Sequence, residues 1–225
     1  MSDSKKLYVM ISKTNTKMGS FIRFFTRYDY NHVSLSLDKE LKSFVSFARI
    51  VQDAPLYGGF VTESFERFLH KGKNSQVKIY EVDITKEKYN NLKKLFSLAD
   101  NPDNGLVYNY IDALMTPVGI NVKIKGAYTC LSFANTVLGT NCKNIKSLSD
   151  TLKDKLIYNG TIKDLGVDSG DRSALYFHKI GFRKGTEKSA KSFLIVCKRM
   201  IHTYNNDNIN NILQWICEKC IKIVE

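Results

Sequence analysis

The chain has 225 residues, 43% hydrophobic and 12% aromatic, with 34 Lys and Arg against 22 Asp and Glu and a net charge of +12. That is too apolar and too aromatic for a disordered chain, and no apolar run approaches the roughly 20 residues a bilayer-spanning helix needs. The positive excess is spread along the sequence with no basic arm or acidic tail. It fits a solvated lysine-rich surface, and equally an anionic partner such as nucleic acid, anionic lipid or a cell-wall polymer.

In chain order, Lys6–Ser12 reads as a first strand, and Met18–Tyr28 as a helix with Met18, Phe21, Ile22, Phe24 and Phe25 at helical spacing. Tyr30–Asp38 alternates strictly and is the clearest strand, with Val33, Leu35 and Leu37 on a buried face and His32, Ser34 and Ser36 on the polar one. A turn at Asp38–Glu40 and a return strand over Leu41–Arg49 predict a hairpin. Pro55, Gly58 and Gly59 mark a loop, and Thr62–Leu69 a short helix. Gln76–Ile84 is another strand; Thr85 caps the helix after it, which Asn101–Gly105 stops.

Short helices are predicted over Tyr108–Met115 and over Tyr128–Leu138, the latter ended by Gly139. Residues 140–190 are weakly patterned, with a strand-like Lys155–Asn159. Phe193–Arg199 reads as a last strand. An Asn-rich linker over Asn205–Asn211 then leads to an amphipathic helix around Ile209–Ile223. The order is that of an α+β protein with mostly antiparallel strands. It divides into a main domain over residues 1–200 and a C-terminal helical extension over 201–225.

Five cysteines, an odd number, and a start at Met1–Lys6 without a secretory signal predict free thiols and a cytosolic chain. Cys217 and Cys220 have the spacing of a metal or redox pair. No second pair or close His completes a zinc site, and buried Cys is an ordinary small hydrophobe, so neither metal nor cofactor is expected.

Two residues have settings that suit chemistry. His32 is on the polar side of its strand. Cys130 opens the first turn of a helix, where the macrodipole and unpaired N–H groups favour a thiolate and can donate to an oxyanion. Together they are the elements of a thiol nucleophile and its base. The alternative for each is structural, an incidental strand His and a Cys packed near Phe133 and Ala134. Cys142 and Cys197 lack such settings.

Asn31-His32-Val33-Ser34-Leu35-Ser36-Leu37-Asp38 resembles the His strand of NlpC-type cell-wall peptidases, and Tyr128-Thr129-Cys130-Leu131-Ser132-Phe133 resembles their Cys helix start. His precedes Cys here, the order of the circularly permuted branch of that papain-like superfamily, which includes lecithin retinol acyltransferase relatives and bacterial amidase-like proteins. The stretch from Ser12-Lys13-Thr14 to Phe25-Thr26, the hairpin, Ser46–Arg49 and Gly58–Val61 add to the likeness, which covers roughly residues 6–140. The chain departs from the pattern where Leu131, not Ser, follows the Cys.

The resemblance implies a permuted papain-like fold, with a central antiparallel sheet packed against helices. It implies a cysteine peptidase, amidase or acyltransferase in which His32 deprotonates Cys130 and a thioester forms. The substrate would be a peptide, amide or ester, anionic ones included. The family's third catalytic residue falls at Ser46, where a hydroxyl cannot stabilise imidazolium as a carboxylate would. Either the dyad suffices, or another group such as Glu63 reaches in, or activity is low or lost. Tyr128 is a candidate for oxyanion or substrate contact, with a packed aromatic as the alternative. The rival reading is an inactive papain-like module binding an anionic polymer or partner. No zinc-finger, RNP or basic-helix pattern supports a specific nucleic-acid binder.

Overall fold

Runs of β-branched and aromatic residues separated by polar turns build a single sheet. The computed structural model describes residues 4–14, 27–69, 74–116, 120–166 and 175–204. Its strands are β1 (Lys5–Ser12), β2 (His32–Ser36), β3 (Phe44–Arg49), β4 (Gly58–Glu63), β5 (Gln76–Ile84), β6 (Val107–Tyr108), β7 (Ala127–Tyr128) and β8 (Leu156–Thr161). They are ordered β7-β6-β4-β3-β2-β1-β5-β8. Every neighbouring pair is antiparallel except the short parallel pair β6/β7. The helices are α1 (Lys86–Phe96), α2 (Tyr110–Met115), α3 (Cys130–Leu138), α4 (Ile145–Thr151) and α5 (Phe182–Tyr204). The chain is α+β, with a mixed eight-stranded sheet among the described residues. No helix among those residues is long and apolar enough to cross a membrane.

Both faces of the sheet are covered. On one, Val9, Ile11, Val33, Leu35, Val45, Phe47, Phe60 and Tyr80 pack with Leu131, Phe133, Ala134 and Val137 of α3 and Ile145 and Leu148 of α4. The rings of Phe47, Phe60 and Phe133 lie 5.1–5.3 Å apart by centroid, a spacing at which aromatic pairs add to the area they bury. On the other face, Met10, Phe44, Val77 and Ile79 pack with Phe65, Phe68, Leu69 and Ile162. All five residues of β2 are therefore buried, which corrects the expectation that His32 lies on a wet face. A polar alternation does not reveal solvent when a second layer covers it.

Several other expectations change. Gly58 and Gly59 stand inside β4, not in a loop. A Cβ at Gly58 would meet the Tyr110 hydroxyl at 2.4 Å, and one at Gly59 the Leu106 carbonyl at 2.6 Å. Glycine in this strand thus lets β6 and α2 approach closely. The following turn is a 3-10 helix over Phe65–Phe68 only. Phe193–Arg199 is the middle of α5, whose buried stripe runs Gly185, Ser189, Ser192, Val196, Cys197 and Met200. Half of that stripe is small or hydroxylated, so its helical period does not register as hydrophobic.

The helix over Tyr108–Met115 is split: Tyr108 ends β6, and α2 begins at Tyr110, capped by Asn109. The boundary drawn at residue 200 falls inside α5. The helix read over Met18–Tyr28, apart from its last two residues, lies outside the described residues. So do the Asn-rich linker, the C-terminal helix, Cys217 and Cys220.

Candidate active site

The site starts at the tip of α3. Thr129 is its N-cap: its side chain accepts from the Ser132 amide while the Ser132 hydroxyl accepts from the Thr129 amide, a reciprocal capping box. Cys130 is thus the first helical residue. Its own amide and that of Leu131 make no hydrogen bond among the described residues, so two donors remain at the positive end of the helix dipole. The cap accounts for Ser132 at the third helical position, and Leu131, which follows the cysteine, packs into the core. Asp112 of α2 braces this corner, its carboxylate accepting from the Val122 amide at 2.9 Å and the Thr129 hydroxyl at 3.3 Å.

His32 opens β2 and is 8% exposed, with its ring 5.8 Å from that of Phe68. Its Nε2 is 2.9 Å from Glu63 Oε2. A carboxylate has no proton to give, so Nε2 carries the hydrogen and Nδ1 is left for another partner. Cys130 lies close enough to the same ring to favour its charged form. α3 rests on β2 and β3, and its first residue meets the start of β2.

Glu63, at the end of β4, is 3% exposed. Besides His32, its Oε2 accepts from Ser34 Oγ at 2.8 Å and Ser46 Oγ at 2.5 Å. Its Oε1 accepts from Arg67 Nε at 3.0 Å. Four donors on two oxygens offset much of the cost of burying the charge. Burial alone would raise the Glu63 carboxyl; the charges of His32 and Arg67, then hydrogen bonds from His32 and Ser46, outweigh it and hold the group at about 2. Burial alone would lower His32; the Glu63 charge, then Cys130, overcomes this and lifts the ring to about 10. At neutral pH the arrangement is sulfur, imidazolium, carboxylate and guanidinium in series.

Of the residues singled out in the sequence, Cys130 and His32 are brought together. Ser46 is at the site but donates to Glu63 and does not meet the imidazole. Tyr128 is turned into the aromatic core, its ring 5.1 Å from that of Phe47. The tyrosines that share a cleft with Cys130 are Tyr28, Tyr30 and Tyr108, alongside Asn31, Thr129 and Leu131. Burial, then the charges at Cys130, Tyr110 and Asp112, hold the Tyr108 phenol protonated well above its ordinary range, against a lowering by Arg49. The cleft is narrow, about 40 Å³ being open to the centres of water-sized molecules, room for about three waters or one slender group.

The sequence offers Glu63 only as an alternative to Ser46, and Arg67 not at all. Their one sequence signal is the four-residue spacing of an acid and a base just after a strand, which is common on surface helices. Among the described residues no group of three or more His, Cys, Asp or Glu side chains is placed to hold a metal ion. Comparison with protein families, curated proteins and solved structures finds no match for this chain.

Proposed function

We propose that this protein is a cysteine-dependent acyl hydrolase or acyltransferase, built on a permuted papain-like plan, with Cys130 as nucleophile and His32 as its base. The observation that carries the reading is the His32 ring, shared between the Glu63 carboxylate and the Cys130 sulfur at the tip of α3. The order of His before Cys and the likeness of Asn31–Asp38 and Tyr128–Phe133 to the permuted NlpC-type branch support the same reading.

At neutral pH His32 already holds the proton that Cys130 gives up, and the thiolate adds to the carbonyl carbon of an amide or ester. The oxyanion that forms is met by the free amides of Cys130 and Leu131. As the carbon–nitrogen or carbon–oxygen bond breaks, His32 returns the proton to the departing amine or alcohol, and an acyl thioester remains on Cys130. Water, or a second alcohol or amine, then gives a proton to His32 and adds to the thioester. The carbon–sulfur bond breaks, the proton stays on His32, and the thiolate leaves beside the imidazolium. Glu63 touches none of the reacting atoms; it holds Nε2 and so leaves Nδ1 for the reaction, and its charge stabilises the imidazolium. The two features favouring an inactive binding module, Ser46 at the third position and Leu131 after the cysteine, have other accounts in Glu63 and in the packing of Leu131 into the core.

The test is labelling with iodoacetamide at pH 7, mapped by peptide mass spectrometry, together with thioester trapping from a p-nitrophenyl ester. The expected result is modification and acylation at Cys130, abolished by Cys130→Ala and strongly slowed by His32→Ala, with both variants folded. Labelling unchanged in both variants, or centred on Cys142 or Cys197, overturns the proposal.

A further inference from the structure

Arg67 is clamped in a way a surface arginine is not. Its Nε meets Glu63 Oε1 at 3.0 Å with both side chains nearly buried. Its Nη2 donates to the Arg49 carbonyl. Its guanidinium carbon lies 4.2 Å over the ring of Tyr176. Tyr176 is itself fixed, 7% exposed and with its carbonyl accepting from the Gln52 amide at 3.0 Å. Each bond uses a different edge or the flat face of the planar guanidinium, a pattern lysine cannot reproduce.

We infer that Arg67, held by Tyr176 and the Arg49 carbonyl, is a positioning residue that keeps Glu63 ionised and aimed at His32. The role of Arg67 in reactivity rests on the acyl-transfer reading; its hold on Glu63 does not. Without the guanidinium, the carboxylate is a buried anion whose one cationic partner is His32, while Oε1 loses its donor. A second buried negative charge at the nearby sulfur then becomes harder to form. Tyr176 belongs to the part of the chain beyond the resemblance to papain-like enzymes, so this clamp makes residues 175–177 part of the site's support.

The charged and titratable groups around the chain of contacts are His32 from β2, Arg67 and Glu63 themselves, and Cys130 from α3. Among the described residues, Tyr108 from β6, Tyr110 and Asp112 from α2, Arg49 from β3 and Tyr176 over the guanidinium join them. Among the described residues, Arg67 is the group other than His32 that meets Glu63 with a positive charge.

The experiment compares wild type with Arg67→Met, Arg67→Lys and Tyr176→Leu by two readouts. The first is the titration of the Glu63 side-chain carboxyl followed by carbon-13 NMR. The second is the pH profile of Cys130 alkylation by iodoacetamide. Arg67→Met is expected to move the Glu63 midpoint upward from about 2 by about one pH unit or more, and to slow alkylation at pH 7 about tenfold. Arg67→Lys should restore most of the Glu63 titration, and Tyr176→Leu should give a smaller shift in the direction of Arg67→Met. If Arg67→Met does not fold, Tyr176→Leu carries the same comparison. Titration of Glu63 unchanged in every folded variant overturns the inference, whatever Cys130 does. A shifted Glu63 in a protein whose Cys130 never reacts, wild type included, leaves the positioning role standing and removes the acyl-transfer reading.

Discussion

Glu63 shows how one buried carboxylate organises a site. Three donors share its Oε2 and one takes its Oε1, so its position is set by β2, β3 and the turn after β4 at once. The raised His32 pKa is its direct effect, because burial alone pulls the other way. Glu63→Gln keeps the shape and removes the charge. In that variant the alkaline limb of Cys130 reactivity, which reports loss of the imidazolium, is expected to fall from about 10 toward the ordinary 6.5 of histidine. A pH–rate profile with the same alkaline midpoint in both proteins would show that the carboxylate does not hold the ring. Cys130 and His32 were legible in the sequence because a cysteine at a helix start and a histidine on a strand are local patterns. Glu63 was legible only as one alternative among three: its partners lie 17 to 31 residues upstream, and the glycines before it look like a loop unless Leu106 and Tyr110 are known to press on them.

At the scale of elements, α3 owes its start to a two-residue exchange between Thr129 and Ser132, and its end to Gly139, whose φ of 71° is open to glycine at little cost. The sequence locates this helix but begins it two residues early, since the cap depends on a reciprocal hydrogen bond that spacing alone does not reveal. Ser132→Ala removes one half of the exchange. It is expected to cost about 1 kcal/mol in denaturant unfolding, and to slow Cys130 alkylation at constant pH because the two free amides lose their fixed direction. A variant equally stable and equally reactive would show that the cap does not set the nucleophile. The same limit explains α5: a stripe of Gly185, Ser189 and Ser192 packs well because it is small, and for that reason carries no hydrophobic signature.

Over the whole molecule, the fold buries a pair of opposite charges and so acquires a pH dependence with a definite sign. Glu63 is held near 2 against an ordinary 4.5, so its contribution to stability is complete above about 4.5 and is lost as pH falls through 2. His32 is raised to about 10 from 6.5, so its contribution is complete below about 6.5 and is lost as pH rises through 10. Both are in full force only between about pH 4.5 and 6.5. Two residues late in the chain brace the site: Arg199 of α5 donates to the Gly105 and Gly126 carbonyls at 2.8 and 2.7 Å, steadying the segment just before Cys130, while Tyr176 holds Arg67. Thermal unfolding of the wild type is therefore expected to peak within that window and to fall steadily toward pH 10. His32→Gln, which cannot hold a proton, should be less stable at pH 6 and should lose much of the alkaline slope. If its melting temperature tracks that of the wild type in parallel from pH 6.5 to 10, the imidazole is not protonated in the folded protein. The charge relay from Arg67 to Cys130 would then have to be rewritten around a neutral histidine.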